Sequence, residues 1–213
     1  FADHGIEAAA HLAYAMRPSH DWSRNTRINI GGTQNLLTAC ATSAAHRIVY
    51  LSSSTVYGAT PNNPPFITED IEPRPPPGFQ YSEEKVASEH IINQFSYHHP
   101  DVNTAILRCC PIVGPNADNF VARAFLRPKL VRFRRHDPPM QLIHEEDVTE
   151  ALTICLLTDV SGTYNLAGDG IIYWSEMATA LGRSQVTLPS PLFHLIVGLS
   201  WALGLQNESP RSA

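Results

Sequence analysis

Tyr81 and Lys85 stand four residues apart in Y-S-E-E-K, and Ser52-Ser53-Ser54 lies upstream at the end of the apolar run I-V-Y-L. These residue types suit hydride transfer. Taking hydride from an alcohol carbon requires a base near neutral pH, whereas a free tyrosine titrates at roughly pH 10. An ammonium beside the phenol favours the phenolate, and a serine hydroxyl holds the substrate oxygen against it. Residues i and i+4 share a helix face, so Tyr81 and Lys85 project together. The chain has seven tyrosines and two lysines, Lys85 and Lys129, in 213 residues, so about 0.07 such pairs are expected by chance. That lifts this pair above most short matches. By itself the serine run reads as a polar turn after a strand; beside Tyr81 and Lys85 the chemical reading prevails. A serine–histidine hydrolase is the competing enzyme class, but no G-x-S-x-G elbow is present.

The elements that must hold these residues follow from pattern. Residues 6–13 read as a short buried strand ending in a turn. Ile30, Leu36, Leu37, Ala41 and Ala44 fall at helical spacing and predict a helix over 29–46. Residues 47–52, R-I-V-Y-L-S, predict a strand buried on both faces. A proline-rich loop follows, then a helix over 80–97 carrying the pair, then a strand over 102–108. Residues 114–139 break into proline- and arginine-rich sequence, expected to be irregular and to cover a substrate. Helices over 146–158 and 174–183 and a strand over 162–166 complete the order. Alternating strands and helices at these intervals predict an α/β fold: a Rossmann-type parallel sheet with crossover helices and a small C-terminal substrate-binding region. The division falls after residue 115, with 1–115 holding the first sheet elements and 116–213 the substrate region interleaved with the last ones. Ligands bind outside the carboxyl ends of such strands, where Ser52-Ser53 and the C-C-P segment fall.

Composition narrows the rest. The net charge of -5 and pI near 6.0 argue against a nucleic-acid partner. Six of the fifteen basic residues fall between Arg123 and Arg135, either as a solvated face or as a patch meeting an anionic ligand. Cys40, Cys109, Cys110 and Cys155 match no zinc spacing, so no metal site is expected, and reduced thiols in a cytoplasm are. The segment 192–205 is the most hydrophobic, yet fourteen residues fall short of the roughly 20 a membrane span needs. It is expected to be a packed or interface helix.

Several segments then match one pattern in one order. N-I-G-G-T-Q-N-L-L at 29–37 resembles N-x-x-G-T-x-N-L-L, and S-S-S-T-V-Y-G at 52–58 resembles S-S-x-x-V-Y-G. L-R-C-C-P-I-V-G-P at 107–115, Q-L-I-H-E-E-D-V at 141–148 and G-T-Y-N-L-A-G at 162–168 continue the series around Y-S-E-E-K. The chain resembles the extended short-chain dehydrogenase/reductases, the NAD-dependent epimerase/dehydratase family. The resemblance implies that residues 1–115 are a partial dinucleotide-binding domain with NAD or NADP as cofactor, and that Ser53, Tyr81 and Lys85 are catalytic: Tyr81 as acid/base, Lys85 on the nicotinamide ribose, Ser53 polarising the substrate. It implies cofactor contacts from Leu12, Ala13, Asn29, Ser52, Tyr81, Lys85, Cys110, Pro111 and Ile112, and substrate contacts from Ser54, Thr55, Asn119, Arg132 and Arg134. A homodimer through the helices flanking the site is also implied.

Three departures from the family pattern matter. The glycine-rich phosphate loop and the residue that separates NAD from NADP are not in the chain, so an incomplete N-terminus and weak dinucleotide binding are expected. Pro111 stands where many nucleotide-sugar enzymes carry asparagine, and Met140 where many carry a diphosphate-binding arginine. Arg132, Arg134 or Arg135 could replace the latter. The expectation is an oxidoreductase or epimerase acting on a sugar nucleotide. A steroid- or ketone-type reductase, and a non-catalytic dinucleotide sensor or scaffold, are the alternatives.

Overall fold

Central strands of a parallel sheet are covered on both faces and need apolar residues at successive positions. Ile48-Val49-Tyr50 and Ala105-Ile106-Leu107 supply two such runs, each residue almost fully buried. The structure is a computed structural model and describes residues 4–16, 21–60, 62–133 and 137–203. In chain order its elements are β1 (Ala8–His11), α1 (Trp22–Thr26), α2 (Gly32–Ala41), β2 (Arg47–Ser53), α3 (Gln80–His98), β3 (Asn103–Cys109) and β4 (Ile112–Val113). These are followed by α4 (Phe120–Leu126), β5 (Lys129–Phe133), β6 (Pro139–Met140), β7 (Ile143–His144), α5 (Glu145–Leu157) and β8 (Gly162–Leu166). Last come β9 (Ile172–Tyr173), α6 (Trp174–Ala180), β10 (Ser184–Leu188) and α7 (Ser190–Ala202).

Strands β1, β2, β3 and β8 form one parallel sheet in that order. Alternation then sorts the core into two layers. Ile48, Tyr50 and Ile106 pack on Leu37 of α2 and Ile92 of α3. Val49, Ala105 and Leu107 face the other way, onto Cys155 and Leu152 of α5. Each fully buried aliphatic side chain contributes about 1.5–3 kcal/mol through removal from water. The α/β expectation is therefore met, with crossover helices on both faces.

Two boundaries differ from the sequence expectation. The first helix begins seven residues early, at Trp22, because Asp21 caps the Arg24 N–H at 3.3 Å. A single π turn, Arg27–Gly31, joins α1 to α2, and the helix ends at Ala41 rather than 46. Thr42 and Ser43 turn their hydroxyls back onto carbonyls of the last turn. The region 114–139 is also more ordered than expected. Asn119 caps α4 through the Ala122 N–H at 3.0 Å, and β5 pairs in parallel with β10, a strand that the sequence reading lacked. Phe125, Leu130 and Ala178 make a separate small core there.

The apolar C-terminal segment is α7, with Leu192, Leu195, Ile196 and Leu199 exposed. Among the described residues no helix is long and apolar enough to cross a membrane.

Candidate active site

Tyr81, Lys85 and Glu89 sit at i, i+4 and i+8 on one face of α3, and each meets the end of β2. The Ser53 hydroxyl faces the Tyr81 phenol and draws its pKa down. Lys85 Nζ donates to the Leu51 carbonyl at 2.7 Å. Ser52 Oγ donates to Glu89 Oε1 at 2.5 Å. Ser53 closes β2 and caps the 3-10 turn Ser54–Tyr57, accepting from the Thr55 N–H at 3.3 Å and the Thr55 hydroxyl at 3.0 Å. The chain leaves that turn through Gly58, whose φ of 69° lies in the left-handed region.

Lys85 is only 4% exposed and is surrounded by aromatic rings. Its Nζ lies 3.9 Å from the Tyr14 ring centroid, 4.6 Å from Tyr50 and 5.9 Å from Tyr81. Burial brings the ammonium down to about 7, with the Glu89 carboxylate opposing the shift. Burial also holds the Tyr81 phenol above the ordinary tyrosine value, although the neighbouring Ser53 hydroxyl pulls it back. The expected lowering of the phenol by Lys85 is not the governing effect here. The ammonium is turned to the Leu51 carbonyl and the Tyr14 ring, and loss of water outweighs its attraction.

The asparagine of the first helix ties the site to the chain after β1. Asn29 Oδ1 accepts the Ala15 N–H at 2.7 Å, while its Nδ2 donates to the Ala15 carbonyl at 3.3 Å and to Glu84 Oε2 at 2.7 Å. His11 Nε2 bonds Thr33 Oγ1 at 2.8 Å, and that hydroxyl donates to the Asn29 carbonyl at 2.7 Å. Thr33 therefore accepts from His11, which places the imidazole proton on Nε2. Burial, then the Lys85 charge, keeps the His11 pKa below its usual value.

Other sequence-predicted residues are distributed unevenly. Leu12 and Ala13 are exposed just beyond β1. Cys110 donates its N–H to the Leu166 carbonyl at 2.8 Å, and burial raises its thiol pKa while Ser54 opposes the shift. The Pro111 carbonyl accepts the Ile143 N–H at 3.2 Å, and Ile112 pairs with Ile143. Ser52 shares its strand face with Tyr50 on the α3 side and spends its hydroxyl on Glu89. Asn119 is occupied as a cap, with its Nδ2 donating to the Ile112 carbonyl at 2.7 Å. Thr55 spends its hydroxyl on Ser53. Arg132 sits in the separate β5–β10 pair opposite Thr187, and Arg134 and Arg135 lie outside the described residues.

Sequence reasoning missed Tyr14, Tyr50, Glu84, Glu89 and Arg108. Arg108 forks onto Glu89 at 2.7 Å and reaches Tyr57 Oη at 2.8 Å, and Tyr57 donates to Asn165 Oδ1 at 2.8 Å. Glu89 could have been found by continuing the four-residue spacing. Arg108 could not, because its pairing depends on β3 lying beside β2.

An uncharacterized protein of Mycobacterium tuberculosis strain H37Rv is 30% identical over 182 residues, covering 85% of this chain and 48% of that protein. Short-chain dehydrogenase/reductase family 42E member 1 of Macaca fascicularis is 25% identical over 169 residues, covering 71% of this chain and 42% of that protein. The chain thus spans about half the length of the curated relatives it matches. Among solved structures, MoeE5 in complex with UDP-glucuronic acid and NAD superposes with a TM-score of 0.72 at 26% identity, over 86% of this chain and 66% of that one. UDP-N-acetylglucosamine 4-epimerase from Bacillus cereus shares the fold with a TM-score of 0.70 at 24% identity, over 86% of this chain and 66% of that one. The family model of the NAD dependent epimerase/dehydratase family matches residues 1–167, and the chain belongs to that family.

Proposed function

We propose that the protein is an NAD- or NADP-dependent oxidoreductase or epimerase acting on a sugar nucleotide, with Ser53, Tyr81 and Lys85 as its catalytic residues. The observation that carries this reading is the meeting of one α3 face with the end of β2, where Lys85 bonds the Leu51 carbonyl, its Nζ lies 5.9 Å from the Tyr81 ring centroid, and the Ser53 hydroxyl faces the Tyr81 phenol. The residues fit the nicotinamide-ribose end of a dinucleotide. Leu12 and Ala13 are open beyond β1, and Lys85 carries three donors, of which the Leu51 bond uses one. A bound NAD or NADP supplies the hydride acceptor and donor. Ser53 would hold the substrate oxygen, and Tyr81 would take the hydroxyl proton as the C–H hydride departs, then return it when hydride comes back. Lys85 would steady the phenolate and bind the ribose. The likeness to MoeE5 in complex with UDP-glucuronic acid and NAD supports the substrate class.

In the full-length protein, Tyr81→Phe should lower turnover of UDP-glucuronic acid or UDP-glucose with NAD by about 10²–10⁴-fold while leaving NAD affinity largely intact. An unchanged rate would remove Tyr81 from the chemistry. A second reading, reduction of an apolar ketone, is favoured by Pro111 and Met140, which offer no side-chain hydrogen bond at two positions where sugar-nucleotide enzymes place polar groups. Turnover of a steroid-like ketone with NADH or NADPH, and none of a UDP-sugar, would select it.

A further inference from the structure

Tyr14 follows Leu12 and Ala13 in the short segment after β1 and touches both members of the Tyr81–Lys85 pair. Its ring centroid is 3.9 Å from Lys85 Nζ, the nearest of the three tyrosine rings around that ammonium. Its hydroxyl donates to the Tyr81 carbonyl at 3.4 Å, and the two rings meet edge to face with centroids 5.5 Å apart. The next residue is fixed from both sides by the Asn29 amide, which is itself tied through Glu84 to α3. The backbone therefore cannot carry Tyr14 away from Lys85 without breaking a buried amide clamp.

We propose that Tyr14 is a positioning residue of this site: its ring carries the Lys85 ammonium and its hydroxyl holds the Tyr81 backbone, so that the two side chains keep a fixed separation. This rests on the reading of Tyr81 and Lys85 as catalytic. A dehydrated ammonium needs compensation, and the face of an aromatic ring provides it without competing for the hydrogen bonds that a ribose would use. The groups facing Lys85 come from every element packed on it: His11 of β1, Tyr14, Tyr50 of β2, Tyr81 and Glu89 of α3, and Cys109 of β3. Of these Tyr14 is the one whose ring can be removed without touching the sheet or α3.

The 213-residue chain has two lysines, so ε-13C-lysine labelling yields two signals, and Lys85→Met identifies which belongs to Lys85. The wild-type Lys85 ε signals should be shifted upfield by the rings. Tyr14→Leu, apolar and of similar reach, should reduce that shift and lower the Lys85 titration midpoint by about one unit through loss of the ring's attraction. Tyr14→Phe restores the ring and should keep both values. A midpoint unchanged in Tyr14→Leu, or lowered equally in Tyr14→Phe, would overturn the proposal. NADH binding by the full-length protein, followed by its fluorescence, separates the two readings. If wild type binds NADH, Tyr14→Leu should weaken it about tenfold and Tyr14→Phe should not. If wild type binds none, the hydride-transfer reading fails, and the Lys85 titration still decides the role of Tyr14.

Discussion

Glu89 lies one helical turn beyond Lys85 and is 3% exposed, with Arg108 at 6% on the neighbouring strand. Two charges that deep in a fold persist only with close geometry, and this pair has it: the guanidinium forks onto the carboxylate, Ser52 donates to the same carboxylate, and Tyr57 accepts the remaining edge. Tyr57 ends the turn that Ser53 begins, so the pair braces the turn from beneath. Removing one partner leaves a buried charge uncompensated, and Arg108→Met should cost about 3–5 kcal/mol in urea unfolding. The double variant Arg108→Met with Glu89→Leu should cost distinctly less than the sum of the single changes. A single-variant cost below about 1 kcal/mol would mean the pair is not braced as described. This scale also separates what spacing could tell from what it could not. Tyr81 and Lys85 were legible because helix periodicity alone places them together. The turn of Ser52 onto Glu89 was not, since it depends on which face of β2 meets α3.

Elements obeyed the same limit. Strands β2 and β3 and helix α3 were legible to within about a residue, because each is a long run with a single dominant pattern. The 22–28 part of the first helix was hidden: its start is marked by Asp21 rather than by apolar spacing. Helix α4 and strand β5 were obscured by the prolines and arginines around them, and β5 is held by β10 some fifty residues later, a pairing no local pattern records. The turn between β2 and the proline-rich loop has a sharper requirement. At Gly58, φ is 69°, and an added Cβ would lie 2.3 Å from the Arg74 carbonyl oxygen. Arg74 also donates its N–H to the Val56 carbonyl at 2.8 Å, so the loop cannot retreat without losing that bond. Gly58→Ala should therefore destabilise the protein by roughly 1–3 kcal/mol and loosen the segment that presents Ser53. Hydrogen exchange at Val56 and Arg74 would report the loosening, and protection equal to wild type would show that the turn adapts.

For the molecule as a whole, the buried polar cluster sets how stability depends on pH. Lys85 falls from an ordinary value of 10.5 to about 7 in the folded chain. Between those values the unfolded chain holds a proton that the native state has released, so unfolding becomes harder as pH rises. His11, held below its ordinary 6.5, acts in the same sense at lower pH. Cys109 acts oppositely: its value rises from 9.0 to about 12, so above pH 9 the native state keeps a proton that the unfolded chain loses, and stability falls. Tyr14, Tyr50 and Tyr81, all raised by burial, reinforce that fall above pH 10. The curve should crest near pH 9. From pH 7 to pH 9 the Lys85 contribution amounts to about 2 kcal/mol, at up to roughly 1.4 kcal/mol per unit. Lys85→Met should be more stable than wild type at pH 7 and nearly flat across the same interval, since it buries no charge. Urea unfolding of both proteins at pH 7, 8 and 9 distinguishes the cases. If the wild-type gain persists in Lys85→Met, the pH dependence arises elsewhere. If it disappears, the lysine proposed for the site is also a residue that weakens the native fold near neutral pH.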